Sequence, residues 1–456
     1  MSTVKQKVAV IGAGWAGCAA SVALASSQHQ VTLFEASRVL GGRARRVISH
    51  VANPVFGDKA TIDIPHDNGQ HILLGAYKQT LQLMRKVGID AKTALLRLPL
   101  QMCYPEGSGG ITFVAPALPA PFHLLAALWR ADGLSREDKI ALARFNSAAR
   151  WMGWELHDDC TVSTLLERFD QTERLTRLLW HPLCVAALNT PPDRASAQVF
   201  LAVLRDSLGA RRSASDMLLP RCDLSSLLPD RAADFVRQQG GTVHLGCNIR
   251  RLQANGTGWR LSSADYEGDF DAVVIATPPD IAANLLGPLT DTTLLKNFSY
   301  EPITTCYLQY APTTSLPRPF FALIEDGAVG DWGQFVFDRG QLDATQAGML
   351  AVVISSSGAA IADGHAALTA GITAQLAKVF NQPELAHPSW TKVISEKRAT
   401  FACTPALVRP DNNSGLDGVW LAGDYTISDY PATLESAVRS GNQAAALVGL
   451  KSKTSP

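Results

Sequence analysis

The sequence predicts an α/β protein in which a doubly wound parallel-sheet domain is interleaved with a second domain of mixed antiparallel sheet and helical cap. Two observations carry that expectation. A strand, a glycine turn, a helix and a second strand are compressed into residues 7–35, and the rest of the chain alternates buried-strand runs, long helical patterns and short β-rich runs. With 456 residues, 46% of them hydrophobic, the chain has material for two domains or one large composite. Its 41 Lys and Arg balance its 41 Asp and Glu, so bulk charge gives no reason to expect a nucleic-acid partner.

The elements follow in order. Val8 to Ile11 is an apolar run suited to a buried parallel strand, and Gly12-Ala13-Gly14-Trp15-Ala16-Gly17 supplies the G-x-G-x-x-G turn into a helix over Ala16 to Ala25. Gly12 permits the tight turn, Gly14 lets backbone approach a pyrophosphate, and Gly17 lets helix and strand pack closely. The helix N-terminus then faces phosphate charge. Gln30 to Phe34 forms the next strand, and Glu35, followed by Ala36, arrives roughly twenty residues on, where a carboxylate accepts hydrogen bonds from a ribose diol. This is a Rossmann-type site for FAD or NAD. The motif alone recurs in many folds, and Lys5, Lys7 and Ala23-Leu24-Ala25 imitate a secretory leader. Glycines interrupt that apolar run, which continues into a strand ending in Glu35, so the leader reading is set aside.

Gly41-Gly42-Arg43 comes next. The glycines offer main-chain N–H groups to phosphate, and the guanidinium fork pairs with phosphate oxygens or stacks near a flavin. A basic surface turn is the plainer reading, and it suits Arg45 and Arg46. Far downstream, Gly418 to Asp424 reads as a buried strand ending in Gly423-Asp424, followed by a helix over Ala432 to Val448. An acid there can bind ribityl hydroxyls, and the helix start near Thr433 and Leu434 can face the flavin pyrimidine.

This succession resembles the FAD-dependent amine oxidase and carotenoid desaturase superfamily, in which the glycine motif, the GGR and the late GD occur in that order. By that resemblance the backbone near Ile249 meets adenine, and Asp271 to Pro279 closes the nucleotide domain. Asp67 to Tyr77, Leu179 to Pro192, Leu219 to Val236 and Ala422 to Gly441 narrow the likeness to the hydroxysqualene dehydroxylase family, the squalene-associated flavoproteins of bacterial hopanoid and triterpenoid biosynthesis. The resemblance implies FAD as cofactor, Gly69 beside it, and a long-chain isoprenoid substrate. The implied reaction is reductive dehydroxylation of hydroxysqualene to squalene. Only one convincing G-x-G-x-x-G is present, so electrons are expected from, or to, an external partner.

Such a reaction needs a proton for the departing oxygen and an apolar channel that tolerates a cation. Asp67 and His71 in the PHDNGQH segment, and Tyr430 before the last helix, are the candidate catalytic residues; His71 equally suits a cofactor contact or a structural hydrogen bond. Three other readings stay open: polyisoprenoid desaturation, amine oxidation, and a non-enzymatic isoprenoid escort. Glu35, Arg43 and Asp424 together argue against the escort, because they have little use without FAD.

The cysteines form no C-x-x-C pair and no metal-ligand spacing, which fits reduced cytoplasmic thiols; Cys403 is either a buried thiol or a flavin attachment point. The nucleotide domain is placed near residues 1–90, 220–292 and 398–456, and the substrate domain near 91–219 and 293–397. Helices are expected over Arg136 to Trp151, Val162 to Leu179 and Ala366 to Phe380. Antiparallel strands are expected over Tyr300 to Gln309, Pro319 to Ile324, Trp332 to Phe337 and Met349 to Ser355, with a disordered tail from Lys451 to Pro456. Val114 to Arg130 is too short to span a bilayer, which takes about twenty apolar residues. It suits either peripheral membrane contact or a buried cap helix.

Overall fold

The computed structural model describes residues 5–52 and 61–451, so residues 452–456 of the expected tail lie outside the described residues. Five strands from three distant stretches build one parallel sheet, in the order Thr242–Leu245, Gln30–Glu35, Lys7–Ile11, Ala272–Ile275, Val419–Leu421. Lys7–Ile11 lies at its centre, with Val8 opposite Val31 and Ala272. Val8, Ala9 and Val10 are wholly buried, as a parallel strand covered on both faces requires.

One cover is the Trp15–Ser26 helix, ten of whose twelve residues are buried, with the Leu434–Lys451 helix packed on it. Two glycines set these distances. A Cβ at Gly17 would stand 1.8 Å from Gly12 O, and one at Gly441 would stand 2.1 Å from Ala16 O. The strands Arg251–Asn255, Gly258–Ser262 and Glu267–Phe270 add a small antiparallel meander.

The second large sheet is antiparallel throughout, in the order Phe320–Ala322, Phe335–Asp338, Met349–Ser355, Tyr300–Gln309, Trp390–Phe401. Four of its strands coincide with or fall close to the expected ones, Phe320–Ala322 being shorter and Phe335–Asp338 shifted by one to three residues. The fifth carries no sequence signal, since Lys392, Glu396, Lys397 and Arg398 break any apolar alternation, as an edge strand allows. Residue 398, expected to open the last nucleotide-binding piece, lies inside this strand, which carries the chain from the antiparallel sheet toward the glycine loops.

In the cap, Arg136–Trp151 is one helix started by a Ser135–Asp138 capping box. The expected helix from Val162 to Leu179 is broken. It runs only over Val162–Arg168; Asp170 takes φ 48°, Thr172 caps a new start through Leu175 N, and a π-helical turn at Thr176–Trp180 leads into His181–Leu188. Val162, Leu165, Leu166 and Phe169 before the break and Leu175, Leu178 and Leu179 after it each keep helical apolar spacing, which hides the break. Local competition by the Thr172 hydroxyl for backbone decides it.

Candidate active site

The glycine turn and the double-glycine loop are in direct contact. Gly41 N donates to Ala13 O at 2.9 Å. Gly42 adopts φ 62°, where a Cβ would lie 3.2 Å from the Gly14 Cα. Gly12 adopts φ 99° with Ala276 O in the way of any side chain, so glycine is required there twice over. Gly14 caps the Trp15–Ser26 helix without a side-chain acceptor and no acid follows in the first turn, leaving the positive helix end for an external anion. Trp15 turns its indole N–H to Ala44 O at 3.3 Å and so pins the helix start to the GGR loop.

Glu35 braces this cradle. Its carboxylate accepts Ala13 N at 2.8 Å and Ser37 N at 2.9 Å, keeping further lone pairs for a ribose. Ala36 beside it is exposed. Gly246 N and Cys247 N donate to Ser37 O and Glu35 O, so the segment leading to buried Ile249 lies against the Glu35 turn.

Arg43 joins the loop to the far end of the chain. Its guanidinium donates to Asp424 Oδ1 at 2.6 Å and to Ala399 O at 2.7 Å. Burial works against the Arg43 charge, and the Asp424 carboxylate more than restores it. Half-buried Arg409 holds the Asp424 segment through the Asp424, Ser428 and Tyr430 carbonyls, and Ser440 Oγ accepts Gly423 N at 3.0 Å. Tyr425 is 2% exposed and its hydroxyl has no partner; Phe298 stacks edge-on against it beside Phe401. Thr433 Oγ1 accepts Ser436 N at 3.2 Å where the Leu434–Lys451 helix begins.

The Asp67–His71 segment closes the site from the antiparallel sheet. Asn68 donates to Arg43 O at 3.1 Å and to Glu396 at 3.3 Å, Tyr307 OH donates to Asp67 O at 2.8 Å, and buried Arg339 donates to Gln70 at 3.0 Å. His71 Nδ1 lies 2.7 Å from Gly69 O, which fixes the proton on Nδ1. Burial first, offset in part by that bond, and then the charge of Arg43 hold the imidazole below its usual pKa, so it is neutral with Nε2 as an acceptor.

Asp67 and Tyr430 face protein groups instead. Asp67 is 3% exposed and its Oδ1 accepts Leu224 N at 2.7 Å; burial pushes its carboxyl up to about 7. Because the folded pKa lies above the unfolded one, the native state holds the extra proton and stability falls as pH rises from about 4 to about 7. Asp67→Asn keeps an acceptor for Leu224 N while removing that titration. The stability of D67N relative to wild type, measured by denaturant unfolding, therefore rises between pH 5 and 8; a difference independent of pH would show that Asp67 stays ionised. Tyr430 OH donates to Asp206 of the Ala197–Ser207 helix, and Arg439 lies 4.4 Å over its ring. Cys403 is buried and its thiol is pushed up to about 12 by burial, leaving it protonated.

Sequence reasoning missed Asn68, Arg409 and Tyr425. Asn68 sits inside the quoted DNGQH segment and Tyr425 directly follows Asp424, whereas an isolated Arg409 offers no signal. A surface hollow of about 490 Å³ lined by Tyr310, Thr313, Gln382 and His387 includes none of these groups.

The uncapped helix end, the glycine-only approach at Gly14 and Gly42, the braced Glu35 carboxylate and the unpartnered Tyr425 hydroxyl together fit FAD. Fold and site define a flavin-dependent oxidoreductase. The chain belongs to the flavin containing amine oxidoreductase family, whose model matches residues 15–449.

The chain is 29% identical to hydroxysqualene dehydroxylase of Rhodopseudomonas palustris, over 98% of this chain and 99% of the relative. It is 26% identical to hydroxysqualene dehydroxylase of Zymomonas mobilis, over 96% and 98%. Against 15-cis-phytoene desaturase of Arabidopsis thaliana it is 24% identical, over 95% and 78%. Among solved structures, cyclohexylamine oxidase from Brevibacterium oxydans superposes with TM-score 0.66 at 19% identity, covering 98% of this chain and 100% of that one. Putrescine oxidase gives 0.68 at 16%, covering 98% and 99%. These two establish the shared fold.

Proposed function

We propose that this protein reductively removes the hydroxyl of hydroxysqualene, an allylic isoprenoid alcohol, to give squalene. Similarity to several hydroxysqualene dehydroxylases over almost the whole chain carries the reading. Bound and reduced, FAD supplies a hydride equivalent. The balanced reaction breaks the C–O bond with its electron pair on oxygen, takes one proton from solvent to release water, and completes a C–H bond.

The chain's own groups prepare that exchange. Gly12, Gly14, Gly17, Gly41 and Gly42 admit the pyrophosphate; Glu35 holds the ribose; Arg43 and Asp424 tie the flavin end together; Thr433 and Leu434 present the last helix to the ring. His71 accepts a hydrogen bond from the alcohol, Asp67 braces its loop, and Tyr430 bridges the final segment to the cap. Phe298, Phe401 and Tyr425 exclude water beside Asp424. Electrons come from a donor outside the chain.

A lipid-soluble substrate is met at a bilayer surface. No helix among the described residues is long and apolar enough to cross a membrane. The Phe122–Arg130 helix, however, exposes Phe122, Leu125 and Trp129 at 60%, 50% and 83%, spaced for one face, with Arg130 at its end. On this reading the protein works on the cytoplasmic side and docks to a membrane surface by that face.

The test is anaerobic: photoreduced enzyme is mixed with hydroxysqualene in anionic vesicles or in detergent. Flavin reoxidation with squalene formed supports dehydroxylation. Reduction of the oxidised enzyme by squalene, with no reaction in the reduced direction, overturns it in favour of desaturation, the second reading, which the phytoene desaturase relatives favour. A Phe122→Ser, Trp129→Ser variant slows turnover from vesicles several-fold and leaves detergent turnover unchanged; equal slowing in both would remove the docking role.

A further inference from the structure

Successive residues of the Tyr300–Gln309 strand point to opposite faces. Thr304 Oγ1 is bonded to Ser357 at 2.8 Å and to Ser395 at 2.9 Å. Thr305, one residue on, is 1% exposed and its hydroxyl has no partner. A buried hydroxyl left unmatched costs about 1–3 kcal/mol, so its retention calls for a ligand.

The surroundings show which ligand. A Cβ built on Gly69 would lie 3.7 Å from Thr305 Oγ1 and 3.9 Å from His71 Cε1, with nothing else as near. Gly69 is not required there by a left-handed backbone. Its missing side chain leaves a gap between a hydroxyl and an imidazole. His71 spends Nδ1 on Gly69 O, so Nε2, which adjoins Cε1, is the nitrogen left free to accept. The same loop is bonded to the Arg43 carbonyl through Asn68, which puts the gap on the antiparallel-sheet side of the cofactor cradle. One donor facing one acceptor is what an alcohol oxygen needs and a hydrocarbon cannot use.

We propose that Thr305, opposite His71 across Gly69, seats the substrate hydroxyl and makes the site select an isoprenoid alcohol over the hydrocarbon product. The assignment rests on the dehydroxylation reading. Thr305 donates to the alcohol oxygen while His71 Nε2 accepts a hydrogen bond from its O–H, and the product, lacking oxygen, leaves both unmatched. That difference favours product release.

Equilibrium binding to the oxidised holoenzyme tests this without turnover. Hydroxysqualene and squalene are titrated against the flavin absorption spectrum of wild type, T305V, T305S and G69A, with flavin content and melting temperature recorded for each. Wild type is expected to bind the alcohol about tenfold tighter than squalene. T305V lowers that ratio about fivefold or more with squalene affinity unchanged, T305S restores it, and G69A, which fills the gap, lowers it as T305V does. A preference that survives in T305V overturns the Thr305 seat alone. A wild type that shows no preference for the alcohol also overturns the seat, whereas the dehydroxylation reading falls only if reduced enzyme fails to convert hydroxysqualene to squalene.

Discussion

Gly17→Ala is expected to yield protein that purifies without flavin and unfolds well below the wild-type temperature. The added Cβ would lie 1.8 Å from Gly12 O, 3.0 Å from Gly12 C and 3.2 Å from Ala276 Cβ, all parts of the turn and the neighbouring strand end. None is the tip of a flexible side chain. Relief requires the Trp15–Ser26 helix to move off the sheet by more than an ångström, and Gly441 already lets the last helix meet Ala16 closely on its other side. Overpacking that forces the backbone to shift costs about 3 kcal/mol, the upper end of the usual range, against a total stability of about 5–15 kcal/mol. The phosphate-facing helix end moves with it. Gly88→Ala is the control: φ is 83° with nothing within 4 Å, so about 1 kcal/mol of backbone strain is expected and flavin is retained. Thermal unfolding and the flavin-to-protein absorbance ratio measure both, and a G17A protein with full flavin and a wild-type melting temperature would refute the close-packing account.

Asp424→Ala is expected to produce the second largest loss. It leaves Arg43 without the carboxylate 2.6 Å away and loosens the tether between a loop near residue 43 and a strand end 381 positions later. Breaking a buried pair by removing one partner costs about 3–5 kcal/mol, but the Arg43 side chain is 37% exposed and water recovers part of that, so about 2–3 kcal/mol is expected. Flavin affinity falls by a factor of about 10 or more, because the GGR loop and the ribityl-binding acid are lost as one unit. Asp424→Asn, which keeps an acceptor for Arg43, falls between the two. Dialysis against excess flavin followed by fluorescence titration gives the affinities. Wild-type affinity in D424A would separate Asp424 from the cofactor and leave it as a loop brace.

The nucleotide half was legible because its residues are constrained by backbone sterics. Gly12 needs its positive φ, Gly17 its missing Cβ and Glu35 its place after the second strand, and each constraint acts within a few residues of the motif. The Trp390–Phe401 strand was illegible because an edge strand beside charged groups needs no alternation. The break after Arg168 was illegible because the segments on either side each keep helical apolar spacing of their own. Asp67 and Tyr430 were sought as reacting groups from their place in the chain; only the fold revealed that Leu224 N and Asp206 already occupy them. His71 looked no different in sequence, yet its ring lies beside the Arg43 loop with one nitrogen free.

By itself, then, the sequence determined the α/β class, the FAD cradle and the family, since these depend on local patterns that sterics and phosphate chemistry force on any chain that builds them. Tertiary structure decided which side chains share the site. The partners of Arg43 and Asp67 lie more than a hundred residues away, that of His71 lies just across a turn and the Thr305 hydroxyl has none, so whether a polar atom is spent or free depends on packing that no spacing records.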